Sequence, residues 1–158
     1  MSYFSYIDLP KIPSELIESV DAILNKPPKH NIQIPTRYRK ADPYPFIQIR
    51  NVEQNLKDYI NYIFNRKCLV QYQIIREGCY IHKDPQRRVA FNYILNTGGE
   101  YASTNVYTED RQLIQSVCVE RERWIALKTD VFHNVTNLTT ERVGVSVEIP
   151  DYVWGDKL

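Results

Sequence analysis

The second half of the chain is a succession of short segments with strand character. From Cys68 onward these segments follow one another with no helical pattern between them, and turn residues such as Asn96-Thr97-Gly98-Gly99 and Thr108-Glu109-Asp110-Arg111 separate several of them. Closely spaced strands without intervening helices predict an antiparallel sandwich or barrel. The predicted strands are Leu69 to Arg76, Val89 to Leu95, Tyr101 to Tyr107, Leu113 to Val119, Arg123 to Leu127 and Val143 to Ile149.

Two amphipathic helices are predicted before these strands. The first begins at Pro13, carries apolar residues at spacings of three and four, and stops at Pro27-Pro28. The second begins with Asn51 as N-cap and Gln54 three residues later, and it runs to about Asn65. Each helix has one apolar face, so each should lie against a sheet. The sequence therefore predicts a mainly β fold with N-terminal helices (α+β), a double-stranded β-helix or jelly roll with two supporting helices on one face.

The length of 158 residues is that of a single domain with a sizeable core. Within it we expect a helical support and loop over 1–67, the double-stranded β-helix over 68–150 and a tail over 151–158. A formal net charge of +1 argues against bulk binding to nucleic acid or to an anionic membrane.

Cysteine usage and the chain start bear on the compartment. Cys68, Cys79 and Cys118 are odd in number and are not spaced as a zinc knuckle, which favours free thiols in a reducing compartment. The chain starts without a basic region followed by an apolar core, and no run approaches twenty apolar residues. We therefore expect an intracellular, cytoplasmic protein.

His82, Asp84 and His133 are the candidate metal ligands. On an extended segment the spacing of two places His82 and Asp84 on the same face, so that both can bind one ion. His133 precedes the last predicted strand and can supply a third ligand from a distant part of the chain. Two imidazoles and one carboxylate leave three positions open, which is the arrangement used for O₂ activation by non-haem Fe(II). By itself a His-x-Asp arises by chance in about one chain in six of this composition, so the joint pattern carries the prediction.

The last predicted strand has two distinct faces. Val143, Val145, Val147 and Ile149 form an apolar face, and Arg142, Gly144, Ser146 and Glu148 form the other. Arg142 should therefore point away from the core and supply a fixed cation for an anionic ligand. His30 and the charge run Arg37-Tyr38-Arg39-Lys40 are interpreted as solvated loop residues, and the loop that carries the run could also line a substrate entrance.

These residues together resemble the Fe(II)/2-oxoglutarate-dependent dioxygenase superfamily, especially its prolyl-hydroxylase-like branch. The resemblance covers about Gln71 to Ile149, half of the chain, and includes the order and approximate spacing of the motifs. The motifs are Tyr72, His82-x-Asp84, Asn92-Tyr93-Ile94-Leu95-Asn96-Thr97-Gly98-Gly99-Glu100, Trp124, Phe132-His133-Asn134-Val135 and Arg142.

The resemblance implies that His82, Asp84 and His133 ligate Fe(II) and that Arg142 pairs with the distal carboxylate of the co-substrate 2-oxoglutarate. A guanidinium suits this task because it grips a carboxylate through two hydrogen bonds. The implied activity is hydroxylation of a substrate C–H bond with O₂, giving succinate and CO₂ as co-products. The substrate stays open among a peptide side chain, a free amino acid and a nucleobase.

Tyr72 occupies a position where the family often has a tyrosine that reaches the co-substrate. On the strand from Val89 to Leu95, the alternation assigns Asn92 to the cavity as a co-substrate or substrate residue, and a register shift would exchange it for Tyr93. Many members of the family have a serine or threonine where this chain has Gly144. Either Tyr72 or Ser146 supplies the missing hydrogen bond to the distal carboxylate, or the affinity for 2-oxoglutarate is reduced.

Two other functions fit the same predicted barrel. A cupin-like isomerase or metal-dependent hydrolase would bind a metal without needing 2-oxoglutarate, so the role of Arg142 distinguishes it. A non-catalytic jelly-roll binding module would bind no metal tightly.

Overall fold

The computed structural model describes residues 2–26, 32–33, 46–77 and 79–158, with backbone only for 32–33. The predictions for His30 and for Arg37-Tyr38-Arg39-Lys40 concern residues outside these ranges. Within them, no helix is long and apolar enough to cross a membrane.

Two antiparallel sheets form the body of the protein. The strands are numbered along the chain, and hydrogen-bonded neighbours follow one another in each list. The large sheet has the order β1 (Phe4–Ile7), β8 (Trp124–Lys128), β5 (Val89–Asn96), β10 (Arg142–Glu148), β4 (Leu69–Ile75), β3 (Phe46–Ile49) and β2 (Ile32–Gln33). The small sheet has the order β7 (Leu113–Cys118), β6 (Ser103–Tyr107) and β9 (Phe132–Thr136). This architecture confirms the predicted double-stranded β-helix, or jelly roll.

The six predicted strands correspond to β4, β5, β6, β7, β8 and β10, with ends within two residues of those predicted. The strands β1, β2, β3 and β9 were not predicted. The strands β1, β2 and β3 have at most four residues each. Strand β9 carries His133 and Asn134 in its interior, so its sequence lacks the apolar alternation typical of a half-buried strand.

The first helix is much shorter than predicted. A 3₁₀ turn at Ser14–Leu16 is followed by α1, which covers only Val20–Leu24. The Ser19 side chain accepts a hydrogen bond from Ala22 N–H and so starts the helix at that point. Just before it, the N–H of Glu18 donates to the Tyr72 hydroxyl at 3.1 Å. A cap and a tertiary contact therefore override the helical periodicity.

The second helix, α2, covers Gln54–Phe64 and ends at Asn65 in the left-handed conformation. Its N-cap position is Glu53 rather than the predicted Asn51. Its apolar face is buried against the large sheet, which confirms the predicted helical support. Members of this core include Leu56, Ile60, Phe64, Tyr72, Val143, Val145 and Val147.

The opposite face of the large sheet looks toward the small sheet. Because side chains alternate along a strand, the buried valines of β10 leave Arg142, Gly144 and Ser146 on this inner side. The space between the two sheets is where the predicted site residues converge.

Candidate metal and anion site

His82 and His133 lie opposite each other in an antiparallel backbone bridge. The N–H of His82 donates to the His133 carbonyl at 3.1 Å, and the N–H of His133 donates to the His82 carbonyl at 2.9 Å. Directly paired residues project their side chains from the same face, and the two ring centroids are 4.3 Å apart. His133 precedes β10, as predicted, and lies within β9, a strand that was not predicted.

Hydrogen bonds to the backbone orient both imidazoles. His82 Nδ1 is 2.6 Å from the Tyr80 carbonyl oxygen, and His133 Nδ1 is 2.8 Å from the Val131 carbonyl oxygen. A carbonyl oxygen can only accept, so Nδ1 is the donor in each ring, and Nε2 is the nitrogen turned toward Asp84. Metal-binding histidines in proteins are fixed by this kind of second hydrogen bond.

Asp84 presents one carboxylate oxygen to both rings. Its Oδ1 is 3.6 Å from His82 Nε2 and 3.9 Å from His133 Nε2, which is longer than a hydrogen bond. The candidate ligand atoms of the three residues all lie within 4.8 Å of one another. The N–H of Asp84 donates to the Thr129 carbonyl at 2.9 Å and fixes the backbone at this position.

The other oxygen of Asp84 is held by Arg87. Oδ2 accepts hydrogen bonds from Arg87 Nε at 2.9 Å and from Arg87 Nη2 at 2.6 Å. Burial on its own raises the pKa of Asp84, but the nearby His82 and Arg87 outweigh it and hold this pKa well below its usual range. The carboxyl group is therefore ionised at neutral pH.

Burial lowers the pKa of His133 to about 4, and the neighbouring His82 acts in the same direction. The ring is consequently neutral at physiological pH, which is the state needed for binding a metal.

Arg142 is a buried cation with an unpaired nitrogen. The residue is 5% exposed. Its Nε donates to the Thr97 carbonyl at 2.8 Å and its Nη1 donates to the Thr104 hydroxyl at 2.7 Å. Its Nη2 is buried without a hydrogen-bond partner, and no carboxylate pairs with the guanidinium among the described residues. Burial lowers the pKa of Arg142 to about 10, so the group stays charged at neutral pH.

A cavity of about 530 Å³ between the two sheets contains both groups. The metal-ligand candidates and Arg142 all line it, together with Asn92 and Thr104. The volume is within the range of small-molecule sites, which is about 300–1,000 Å³.

Tyr72 lies outside this cavity, which contradicts its predicted contact with the co-substrate. The residue is fully buried in the core under the helices, and its hydroxyl accepts the N–H of Glu18. The reason is strand alternation: Gln71 and Gln73 on either side of it line the cavity, so Tyr72 must point the other way.

Asn92 and Ile94 line the cavity, while Phe91 and Tyr93 lie in the core. Asn92 therefore faces the cavity, as the alternation predicted, and the alternative register with Tyr93 on that side is not the one found. The Oδ1 atom of Asn92 is buried without a partner. Its role as a co-substrate or substrate residue stays a prediction.

Ser146 is on the cavity side of β10 but far from Arg142. Its hydroxyl accepts a hydrogen bond from Arg87 Nη1 at 3.1 Å. Ser146 is four residues along the strand from Arg142, which corresponds to a Cα–Cα distance of about 13 Å. The two residues are therefore not neighbours on the strand, and the predicted second hydrogen bond from Ser146 to the co-substrate stays a prediction.

Sequence reasoning missed Arg87 and Thr104. The Thr104 hydroxyl lies beside the Arg142 guanidinium and accepts a hydrogen bond from it. Its position on the inner face of β6 follows from alternation, but the pairing with Arg142 joins residues 38 apart in sequence. The spacing of three between Asp84 and Arg87 can be read from the sequence. It indicates a contact between the two side chains only when the conformation of the segment between them is known.

The donor set fits the groups that the resemblance implies. Two imidazoles and an ionised carboxylate, whose candidate ligand atoms all lie within 4.8 Å of one another, suit a divalent transition metal. The buried Nη2 of Arg142 lacks an acceptor, and a carboxylate would supply one.

Comparison with known proteins gives the fold an independent basis. No family model and no curated protein sequence matches the chain. A prolyl-4-hydroxylase from Pseudomonas putida matches with a TM-score of 0.57 and 13% identity, over 94% of this chain and 92% of that one. The chain has the fold of that enzyme.

Two further solved structures match over a smaller part. A 2OG-Fe(II) oxygenase family oxidoreductase from Burkholderia pseudomallei has a TM-score of 0.43 and 12% identity, over 61% of this chain and 51% of that one. The protein IDO from Bacillus thuringiensis has a TM-score of 0.41 and 18% identity, over 60% of this chain and 54% of that one. The match spans about half the length of these two proteins.

Proposed function

We propose that this protein is an Fe(II)- and 2-oxoglutarate-dependent dioxygenase that hydroxylates a substrate C–H bond, with succinate and CO₂ as co-products. The observation that carries the proposal is Arg142, a buried cation whose Nη2 has no partner, in the same cavity as a candidate metal triad. An unpaired buried charge is destabilising, so its retention is best explained by an anionic ligand. The prolyl-4-hydroxylase that shares this fold supports the proposal as a precedent.

In this proposal His82, Asp84 and His133 hold the iron through Nε2, Oδ1 and Nε2. Bound iron would supply the oxidising chemistry, with O₂ and 2-oxoglutarate as its co-substrates. Three protein ligands would leave room on the ion for these co-substrates.

Arg142 binds the distal carboxylate of 2-oxoglutarate through its free Nη2. Thr104 holds the guanidinium from one side and the Thr97 carbonyl holds it from the other, so the donor is fixed before the co-substrate arrives. The Thr104 hydroxyl accepts from Arg142 and keeps its own proton for the same carboxylate. We propose that Thr104 replaces the hydroxyl that Gly144 lacks.

The test is turnover of 2-oxoglutarate. Purified protein with Fe(II), ascorbate and O₂ should convert 2-oxoglutarate to succinate slowly even without the substrate, and Asp84→Ala should not. Succinate is measured by mass spectrometry, with Asp110→Ala as the control because Asp110 is an exposed turn residue. Metal binding without any succinate would favour the cupin-like enzyme, and absence of metal binding would favour the non-catalytic module.

A further inference from the structure

Four amide side chains form one wall of the cavity, and the mechanism above uses none of them. They are Gln48, Gln71, Gln73 and Asn92, here called the amide wall, and all four line the cavity. None of their side chains hydrogen-bonds to another residue in the described ranges. Amide groups hydrogen-bond both to donors and to acceptors, so the amide wall can bind a molecule that offers both.

Strand register places the amide wall away from the distal carboxylate site. Gln48 pairs with Gln73, which pairs with Gly144, so these two amides form one row across the sheet. Gln71 pairs with Ser146, and Ser146 pairs with Asn92, which forms a second row. The rows are two and four residues along the strand from Arg142, about 7 and 13 Å.

The second row, which contains Ser146, lies beside the candidate metal ligands. Arg87 connects this row with Asp84, since it donates to Asp84 Oδ2 at 2.6 Å and to the Ser146 hydroxyl at 3.1 Å. A molecule on the amide wall would thus be next to the metal while Arg142 is occupied by the co-substrate. This is where a substrate must lie in the proposed function, on which the present inference rests.

The chemistry of the wall selects an uncharged polar group. Among the lining residues, Arg87 is neutralised by Asp84, and Arg50 and Glu148 have opposite charges. A carboxylate could accept from the amide N–H groups but would leave their carbonyl oxygens without a donor, and an apolar group would leave both without hydrogen bonds. We infer that the amide wall binds a substrate through a planar amide group, whose N–H and C=O complement the carboxamides of Gln48, Gln71, Gln73 and Asn92.

Matched small probes test this inference. Zinc is used in place of iron because it has no redox chemistry, and 2-oxoglutarate is added at saturation. The dissociation constants of benzamide, acetophenone and benzoate are measured by saturation-transfer NMR. Benzamide should bind about 3- to 10-fold more tightly than acetophenone, the amount typical of one net hydrogen bond, and more tightly than benzoate. N-Methylbenzamide distinguishes a primary amide from a secondary, peptide-type amide. It should bind as tightly as benzamide only if the amide wall accepts a secondary amide.

The variants are Gln73→Leu and Gln71→Leu, with Gln112→Leu as the control because Gln112 is exposed outside the cavity. The preference for benzamide should disappear in Gln73→Leu or Gln71→Leu and persist in Gln112→Leu. Equal binding of benzamide and acetophenone, preference for benzoate, or no binding of any probe would overturn the inference. If benzamide shows this behaviour but 2-oxoglutarate does not bind, the amide wall stands and the proposed co-substrate fails.

A second inference concerns Arg87 and rests on different contacts. Its Nε and Nη2 both donate to Asp84 Oδ2, at 2.9 and 2.6 Å, and its Nη1 is tied to Ser146 on β10. Only Oδ1 faces the two imidazoles. We infer that Arg87 is a positioning residue that restricts Asp84 to one-oxygen coordination and so keeps three metal positions open. This inference rests on the proposed metal site.

Water relaxation on Mn(II) measures the number of open positions directly. At saturating protein, wild type should carry three exchangeable waters, and Arg87→Ala should carry two because Oδ2 becomes free to bind. The inner-sphere water proton relaxivity should therefore fall by about one third. Arg87→Lys keeps the charge without the two-pronged geometry and should lie between the two.

Arg123→Ala is the matched control, since Arg123 also pairs with an acidic residue three positions away, Glu120, but on the surface. Its relaxivity should equal that of wild type. Unchanged relaxivity and unchanged Mn(II) affinity in Arg87→Ala would overturn the role of Arg87 while leaving the metal site intact. A wild-type protein that binds no Mn(II) would instead remove the proposed metal site itself.

Discussion

His82 and His133 are joined by two reciprocal backbone hydrogen bonds of 3.1 and 2.9 Å, which set their imidazoles side by side. The Nδ1 hydrogen bonds to Tyr80 and Val131 then fix the orientation of each ring. The two imidazoles, which are the candidate nitrogen ligands, are consequently arranged by the protein alone. Little ordering of the chain should accompany metal binding.

A preorganised site predicts strong stabilisation by metal. At a free concentration of 100 times Kd, an ion that binds only the folded state adds about 2.7 kcal/mol. For a chain of this size that raises Tm by roughly 5–10 °C. Scanning fluorimetry with Fe(II) under argon, or with Zn(II), should show this increase in wild type and Asp110→Ala. Asp84→Ala, which keeps only two neutral ligands, should show almost none, and a full increase there would mean that Asp84 is not a ligand.

The fold could be predicted from the sequence where local patterns agree with the tertiary structure. The alternating valines from Val143 to Val147 gave the inner face of β10 and hence the position of Arg142. The predicted start of the first helix was wrong because Ser19 caps the helix further along the chain and the N–H of Glu18 bonds to Tyr72. Neither effect can be inferred from helical periodicity. Strand β9 was not predicted because polar residues of the candidate site interrupt its apolar pattern.

The candidate site shows the same division. His82, Asp84, His133 and Arg142 were selected from spacing, and the structure brings all four to one cavity. Tyr72 was assigned from the family position, whereas the alternation of β4 puts Gln71 and Gln73 on the cavity side and Tyr72 in the core. Thr104 could not be assigned because its contact with Arg142 joins residues 38 apart in the sequence. The contact of Arg87 with Asp84, three residues away, depends on a turn that the sequence pattern does not specify.

Arg142→Met tests the unpaired guanidinium. The 2-oxoglutarate affinity of the Zn(II)-loaded protein should fall by about 10- to 150-fold, as for a lost charged hydrogen bond of roughly 1.5–3 kcal/mol. Without ligand, the same variant should unfold at an equal or higher temperature, because removal of an unpaired buried charge offsets the lost hydrogen bonds. Calorimetric titration and scanning calorimetry measure the two effects.

Arg121→Met is the control for this substitution, since Arg121 also donates through Nε to a backbone carbonyl, that of Leu95, but is exposed. It should change neither quantity appreciably. Arg142→Lys should recover part of the affinity because an ammonium keeps the charge but not the fork. An Arg142→Met protein with wild-type affinity for 2-oxoglutarate would place the co-substrate elsewhere.

Gly144→Ser should destabilise the protein rather than improve the site. A Cβ at this position would lie 2.8 Å from the Tyr93 carbonyl oxygen of the neighbouring strand β5, next to an irregularity in the pairing of the two strands. Overpacking of this kind costs about 1–3 kcal/mol. Urea unfolding of the metal-free variant measures the loss. An unchanged unfolding midpoint would show that the two strands can separate locally without penalty.

Tyr72→Phe separates a structural role from a co-substrate role. The variant loses only the hydrogen bond between the Tyr72 hydroxyl and Glu18 N–H. The free energy of unfolding should fall by about 0.5–1.5 kcal/mol, and the affinity for 2-oxoglutarate should not change. Chemical denaturation and calorimetric titration of the same preparation report both. A weaker 2-oxoglutarate affinity at unchanged stability would restore the predicted contact with the co-substrate.

The central claim is that the triad and Arg142 bind one iron and one 2-oxoglutarate in the same cavity. The most direct measurement is the visible absorption spectrum of the anaerobic Fe(II) protein during a titration with 2-oxoglutarate. Chelation of the iron by the keto acid should produce a metal-to-ligand charge-transfer band in wild type, and in Arg142→Met the band should need about 10- to 150-fold more ligand. No band at saturating 2-oxoglutarate, in protein shown to contain stoichiometric iron, would contradict the proposed function.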